Sequence, residues 1–296
     1  MKLRLFSLAL LVSVTSLAQT SKKYQNAQAQ THLCGSITLS DLKEDPYSEW
    51  YKKNYNSFEL SDKPTKWAKK LKDTEVEIYL GTWCGDSKKW VPQFVKLWED
   101  LGLNKEQLKF IALYDGTEKY KQGPSGEEKG KNIHRVPTFI FKKNNSEYAR
   151  IVESPSSALE TDLAQIALGF PSQPNYKAAT YLMELLESKS IEEIYENLRT
   201  HANTAYRLAG KSGELNTLGY VYLRSGRVKE AITIFEFNTY FFRTNPNVFD
   251  SYAEALAEDG QTEKAIENYD KVLALDPENE NASKQIKSLK DLVSEG

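Results

Sequence analysis

A repeat in the C-terminal part of the chain limits the possible folds more than any other feature. Residues 215–235 (LNTLGYVYLRSGRVKEAITIF) align with residues 249–269 (FDSYAEALAEDGQTEKAIENY), and Gly226 matches Gly260. Each unit is typical of a helix, a turn containing glycine and a second helix. The repeat interval from Gly226 to Gly260 predicts stacked helix pairs, because one pair alone cannot bury its apolar face.

This pattern resembles the tetratricopeptide (TPR) repeat, which has the same interval. The resemblance implies an all-α array over residues 175–296 that presents a concave surface to a peptide or protein. The clear repeats cover about residues 212–245 and 246–279, and residues 280–294 are predicted to form a capping helix. Upstream residues are expected to supply a further, degenerate helix pair, because two repeats are fewer than a stable array requires.

A different pattern precedes the repeats. Residues 81–92 read GTWCGDSKKWVP and follow an apolar run that is typical of a strand. The predicted elements are strands 74–80, 108–113, 138–142 and 147–152 and helices 86–101 and 160–168. Their order predicts a four-stranded sheet with helices packed against it.

Three features in this region carry a second resemblance. WCGDS follows a strand, Pro92 lies inside the next helix, and the triplet Val136-Pro137-Thr138 opens a later strand. Together they resemble the thioredoxin fold over residues 65–170, and best match an exported bacterial thioredoxin-like family. The resemblance implies a central mixed sheet flanked by helices, with a cis proline at Pro137 beside Cys84. The expected chain is therefore an α/β thioredoxin-like domain followed by an all-α TPR-like array.

The chemistry is expected to centre on Cys84. A thiol at a helix N-terminus faces free backbone N–H groups and the positive end of the helix dipole, which favour the thiolate. Asp86 opposes this effect, so a moderately activated thiol is predicted. The candidate catalytic residues are Cys84, Ser87, Trp83 as an apolar wall, and Pro137.

Ser87 stands where a second cysteine would complete a Cys-x-x-Cys pair. A hydroxyl cannot release a mixed disulfide, so ordinary dithiol cycling is excluded unless Cys34 acts as the partner. A mixed disulfide on Cys84 could otherwise be resolved by a small thiol or by another protein. Four hypotheses remain open: monothiol exchange or isomerisation, a Cys34–Cys84 disulfide that acts as a staple or a switch, a fold retained for binding with Cys84 inert, and metal or other covalent chemistry. The residues alone leave open whether the protein is an enzyme.

Other chemical groups are scarce. The chain has two cysteines and three histidines, so no cofactor or metal is predicted, and a site built from His32, Cys34 and Cys84 lacks any standard ligand spacing. His134 precedes the Pro137 loop and could pair with Cys84 in acyl transfer. We expect it instead to face solvent.

The first residues predict export. Residues 1–18 combine a basic start, a short apolar stretch and a small-x-small cleavage site, which is typical of a signal peptide. No later segment is long and apolar enough to span a bilayer in the mature chain. Residues 19–64 are polar; they begin as a flexible leader, and residues 46–58 are either a short amphipathic helix or a loose linker. The periplasm of a Gram-negative cell is the favoured compartment, with secretion as the alternative.

Charge and surface features suggest the partners. The formal net charge is −2, without the basic surface that nucleic-acid binding requires. The expected partners are protein or peptide clients, bound through the TPR-like surface and the thioredoxin-like site. Tyr220, Tyr252 and Glu254 are candidates for that surface, although helix packing explains the tyrosines equally well.

Overall fold

A computed structural model describes residues 22–61 and 65–295, so the predicted signal peptide lies outside the described residues. Within them the chain forms a mixed six-stranded sheet followed by a run of helices. The strands are β1 (Lys22–Gln25), β2 (Thr31–Ile37), β3 (Glu75–Leu80), β4 (Leu108–Ala112), β5 (Thr138–Lys143) and β6 (Ser146–Val152). The helices are α1 (Ser48–Asn56), α2 (Gly85–Asp100), α3 (Leu159–Leu168), α4 (Lys177–Ser188), α5 (Ile191–Glu196), α6 (Leu198–Leu208), α7 (Ser212–Arg224), α8 (Val228–Phe241), α9 (Pro246–Glu258), α10 (Thr262–Leu275) and α11 (Glu280–Glu295).

The sheet places the end of β3 near its centre. Its strand order is β1-β2-β4-β3-β5-β6, in which β3 and β4 are parallel and the other neighbours are antiparallel. Parallel strands need a crossover connection, and α2 supplies it between β3 and β4. The helix continues through Pro92 to its end at Asp100.

The two faces of the sheet bury different clusters, because successive strand side chains point to opposite faces. Val76, Ile78 and Leu80 belong to the main core, which α2 and α3 cover. Tyr79 points the other way. It joins a smaller cluster, which we call the thiol-side cluster: Tyr79, Ile111, Leu113, Ile133, Val136 and Ile140.

The prediction of four strands was wrong for the described part of the chain. The polar stretch expected as a flexible leader includes β1, and β2 extends the sheet by pairing with β4, with Leu33 and Cys34 buried. Sequence periodicity could not find these strands, because β4 lies far along the chain from β2 and THLCGSI does not alternate cleanly. For residues 46–58 the helical alternative holds: α1 forms, and its Tyr51 packs into the main core.

The C-terminal helices keep the interval of the sequence repeat. Helices α7 and α9 each have 13 residues and α8 and α10 each have 14, and the second pair follows the first at the Gly226-to-Gly260 interval. Gly226 and Gly260 end the first helix of each pair with φ of +78° and +76°, which glycine adopts without strain. In residues 22–61 and 65–295, none of the helices has both the length and the apolar character required to cross a bilayer.

Helix α7 contacts the loop between β4 and β5. The Arg135 Nη2 donates to the Gly213 carbonyl oxygen at 2.6 Å, and the Gln122 Nε2 donates to the Arg224 carbonyl oxygen at 2.6 Å. These contacts join the loop to the two ends of α7. The loop that crosses the thiol-side cluster is therefore held between the sheet and the helices.

Candidate functional site

Cys84 begins helix α2 directly after the turn that ends β3. Its φ of −81° and ψ of 128° are extended, and its carbonyl oxygen accepts from the Lys88 N–H at 3.0 Å. The Cys84 N–H donates to the Gly81 carbonyl oxygen at 2.9 Å, which closes the turn. The thiol therefore occupies the N-cap position, where backbone N–H groups of the first helical turn lack helical acceptors.

The thiol lies against the proline loop. The half-buried Cys84 packs on the thiol-side cluster, and its Sγ donates to the Val136 carbonyl oxygen at 3.2 Å. The Val136–Pro137 peptide bond is cis. Cys84 and Pro137, which are far apart in the sequence, are therefore neighbours in the structure.

The Ser87 hydroxyl is engaged in the strand-to-helix turn. It is fully buried, and its Oγ accepts from the Gly81 N–H at 3.1 Å. The hydroxyl satisfies a buried backbone donor at the strand-to-helix turn, which would otherwise cost about 1–3 kcal/mol. Ser87 thus stabilises the turn that presents Cys84.

Trp83 folds back over the same turn. Its Nε1 donates to the Leu113 carbonyl oxygen at 2.8 Å, and its ring packs on the thiol-side cluster. A Cβ at Gly81 would lie 2.5 Å from the ring, so the ring position requires glycine there. Trp83 and Cys84 therefore pack against the same apolar cluster.

Cys34 is separate from Cys84. Both cysteines lie in the described part of the chain and are free thiols. Cys34 is buried in β2, where its Sγ donates to the Lys22 carbonyl oxygen at 3.5 Å. A hydrogen bond with Cys34 is the main cause that raises the pKa of Tyr114 to about 12. Each thiol therefore has its own partners, and β4 lies between β2 and β3 in the sheet.

His32 contacts the turn that precedes Cys84. This histidine is buried, its Nδ1 lies 3.3 Å from the Thr82 Oγ1, and burial lowers its pKa. Across the described residues, no group of three His, Cys, Asp or Glu side chains is arranged to hold a metal ion.

The expectation that His134 faces solvent was wrong. It is 1% exposed, and its ring packs edge-on against Tyr176 at 5.7 Å between centroids. Among the described residues neither ring nitrogen makes a hydrogen bond of ordinary geometry. Burial, followed by the charges of Lys121 and Arg135, lowers the pKa of His134 to about 3, although the nearby Asn132 backbone opposes this. A histidine held neutral this strongly is a poor general base near neutral pH.

The structure adds Lys121, which the sequence analysis missed. Its side chain is buried, its Nζ donates to the His134 carbonyl oxygen at 2.7 Å, and the ammonium lies 4.5 Å from the Tyr120 ring centroid. Burial lowers the pKa of Lys121 to about 7; Arg135 adds to this, and the charges of Cys84 and Glu153 oppose it. The loop around Lys121 contains several other lysines, so its sequence carried no signal that one of them is buried.

An ion pair lies on the same side of the site. The Arg135 Nη1 is 3.3 Å from the Glu153 Oε1, and the guanidinium also lies 4.6 Å from the Tyr176 ring centroid. Burial raises the pKa of Glu153, while Arg135 opposes the shift. The charge of Arg135 is therefore matched by Glu153 beside the proline loop.

A cavity of about 470 Å³ lies beside Tyr120, between the β4–β5 loop and helices α7 and α9. Its walls are Asp115, Thr117, Tyr120, Gly213, Asn216, Thr217, Tyr220, Arg224 and Glu254. The Tyr220 hydroxyl donates to the Glu254 Oε2 at 2.8 Å, so two of the three predicted surface residues line this cavity. The third, Tyr252, does not line the cavity and packs against the buried apolar side chains of the C-terminal helices.

No protein-family model matches the chain, and a search of curated proteins finds no match.

Proposed function

We propose that this protein performs thiol–disulfide exchange with Cys84 as its single nucleophile. The observation that supports it best is the 3.2 Å contact between the Cys84 Sγ and the Val136 carbonyl oxygen, beside the cis Val136–Pro137 bond. A cysteine at a helix N-terminus, with backbone polar groups alongside it, suits attack on a disulfide in an extended client chain.

In the exchange step, the Cys84 thiolate attacks one sulfur of a client disulfide. A new S–S bond forms, the client S–S bond breaks, and the second client sulfur leaves as a thiolate that takes up a proton from solvent. The product is a mixed disulfide between Cys84 and the client. Ser87 has no thiol to resolve it, so an external thiol completes the cycle.

Val136 provides a docking group for the client backbone. Its carbonyl oxygen accepts from the Cys84 thiol in the resting protein. When Cys84 loses its proton, this acceptor loses its donor and becomes available to a client N–H. Attack and docking are therefore coupled through one carbonyl group.

We also propose that the sheet region is a thioredoxin-like domain and that the C-terminal helices form a TPR-like array. The crossover from β3 through α2 to β4, the antiparallel pair β5–β6 and the cis bond at Pro137 support a thioredoxin-like domain. The helix pairs that recur at the Gly226-to-Gly260 interval support a TPR-like array. Export remains a prediction from residues 1–18.

The test of this proposal is mixed-disulfide formation. Wild-type protein and the C34S and C84S variants are incubated with oxidised glutathione and with a disulfide-bonded model peptide, quenched with acid and weighed intact by mass spectrometry. The expected result is an adduct on wild type and C34S and none on C84S. A folded wild-type protein that gives no adduct at Cys84 would falsify the proposal.

The second candidate function is protein binding without catalysis, and the cavity between the β4–β5 loop and helices α7 and α9 favours it. Tyr220 and Glu254 offer a ring and a carboxylate at a concave surface there. Thiol labelling separates the two functions. A Cys84 that resists iodoacetamide in the native protein, yet reacts after unfolding, supports binding alone.

A further inference from the structure

A further cavity, of about 310 Å³, lies between the β4–β5 loop and helices α4 and α7. We call it the His134 cavity. As the described residues define the two cavities, it shares no lining residue with the cavity beside Tyr120. The buried residues of its lining, which we call the floor, are Ile133, His134, Met183, Leu218 and Tyr222.

Two polar side chains of the floor make no hydrogen bond of ordinary geometry within the described part of the protein. They are His134, at both ring nitrogens, and Tyr222, at its hydroxyl. His134 is 1% exposed and Tyr222 is 4% exposed, so both are more than nine-tenths buried. Nearly all buried polar groups in native proteins have a partner in protein, water or ligand. The partner of these two groups therefore comes from what occupies the cavity.

Neighbouring side chains hold both rings in place. The His134 ring packs against Tyr176 at an interplanar angle of 88°. The Arg227 guanidinium lies 4.0 Å from the Tyr222 ring centroid, and its Nε donates to the Glu230 Oε1 at 3.0 Å. Binding groups that are already fixed in one orientation cost little to order when a ligand arrives.

Helix packing alone does not explain the hydroxyl of Tyr222. In the repeat alignment that matches Gly226 with Gly260, Tyr222 corresponds to Leu256. Leu256 is 1% exposed and belongs to the same apolar core. A leucine thus fills the equivalent position of the second helix pair without burying a polar group. The Tyr222 hydroxyl therefore needs a reason other than packing of the repeat.

The size and the walls of the His134 cavity favour an organic ligand over water alone. Its volume of about 310 Å³ lies at the lower end of small-molecule sites, which span about 300–1,000 Å³, whereas one water takes about 30 Å³ of the liquid. Ile133, Met183 and Leu218 give the floor an apolar surface, which offers water no hydrogen bond.

The chemistry of the walls favours an uncharged ligand. Burial lowers the pKa of His134 to about 3 and raises the pKa of Tyr222, so both groups are neutral near pH 7. The charged residues of the lining, Glu128, Lys129 and Arg227, are half-buried or exposed and so are better hydrated than the floor. An ion on the apolar floor would lose water without gaining a buried counter-charge.

Hydrogen-bond capacity narrows the ligand class further. A neutral imidazole offers one N–H donor and one nitrogen acceptor, and a phenol hydroxyl both donates and accepts. A primary amide offers N–H donors and a carbonyl acceptor, so it complements both groups. We infer that the His134 cavity binds a small uncharged molecule with an apolar body and an amide group, which His134 and Tyr222 hold by hydrogen bonds. This binding site goes beyond the exchange function proposed for Cys84.

The test titrates benzamide into the full-length protein, with two matched compounds. Benzoate replaces the amide with a carboxylate, and toluene carries no polar group. The protein is labelled with ¹³C in its histidines and tyrosines, and NMR follows the ring signals of His134 and Tyr222. We expect benzamide to shift both sets of signals to saturation and to bind about tenfold more tightly than either matched compound.

A pair of variants isolates the hydroxyl. Y222F keeps the ring and removes the hydroxyl, so we expect it to weaken benzamide binding about tenfold and to leave toluene binding unchanged. Y269F removes the hydroxyl of another buried tyrosine, in α10, which does not line the His134 cavity. It should bind benzamide like wild type.

Benzamide that leaves the His134 and Tyr222 signals unchanged would show that water alone occupies the cavity, and it overturns the inference. Equal affinity for toluene, or an unchanged benzamide affinity in folded Y222F, also overturns it, because the polar groups then contribute nothing. The comparison of compounds on wild type needs no variant, so it decides even if Y222F does not fold. Mixed-disulfide formation tests exchange separately, and either proposal can fail while the other stands.

Discussion

The Ser87 Oγ lies 3.1 Å from the backbone nitrogen of Gly81 and accepts its hydrogen bond in a fully buried position. The residue that replaces a resolving cysteine is therefore part of the turn that presents Cys84. A serine at this position can keep the site geometry while removing the second thiol.

Replacing Ser87 with cysteine should restore dithiol chemistry at a small cost in stability. The weaker acceptor leaves the Gly81 N–H less well satisfied, so we expect S87C to lower the free energy of unfolding by about 1 kcal/mol in urea titrations. We also expect S87C to gain insulin-reductase activity with dithiothreitol, because the new thiol lies one helical turn from Cys84. S87A is the matched control: it should lose similar stability and gain no activity. A stable, folded S87C without activity would argue against a working thiol site.

Gly81 is expected to tolerate no side chain. An added Cβ would lie 2.5 Å from the Trp83 ring, so G81A must displace the ring from the Leu113 carbonyl oxygen. We expect a loss of about 1–3 kcal/mol in unfolding free energy and a shifted tryptophan emission. A Cβ added at Gly85 would meet no atom within 4 Å, so G85A serves as the control and should change neither. Equal stabilities of the two variants would contradict the packing argument.

The buried His134 should make the fold sensitive to acid. Its pKa is lowered to about 3, so the unfolded chain binds a proton more readily than the folded one. The stability that the neutral histidine permits is present above about pH 6.5 and is lost as pH falls toward 3. Replacing it with phenylalanine should flatten this decline. Urea unfolding at several pH values between these limits measures it, and parallel curves for wild type and H134F would contradict the prediction.

The contact between Gln122 and Arg224 should hold the β4–β5 loop against α7. In Q122A the loop loses its hydrogen bond to the end of α7, so we expect faster amide hydrogen exchange at Lys121, whose N–H donates to the Tyr114 carbonyl oxygen. Gln93 donates to the Ser57 Oγ at 3.2 Å on an exposed surface, so Q93A is the matched control. Unchanged amide exchange at Lys121 in Q122A would show that this hydrogen bond does not restrain the loop.

The patterns that sequence could predict are local or periodic. The strand before Cys84, the helix after it and the helix pairs that recur at the Gly226-to-Gly260 interval all follow from apolar spacing and glycine positions. Pro137 was placed beside Cys84 through a family resemblance, and the structure brings the two together.

Only the tertiary structure decided which polar groups are buried and which distant segments pair. Strands β1 and β2 depend on the edge that β4 offers, His134 is buried by helices that come later in the chain, and Lys121 resembles every other lysine of its loop until the fold encloses it. Burial and long-range pairing are properties of packing between segments, and one segment's composition does not contain them. The sequence by itself therefore determined the order of elements and a candidate nucleophile, whereas the packing around Cys84 decided the electrostatic surroundings of that thiol.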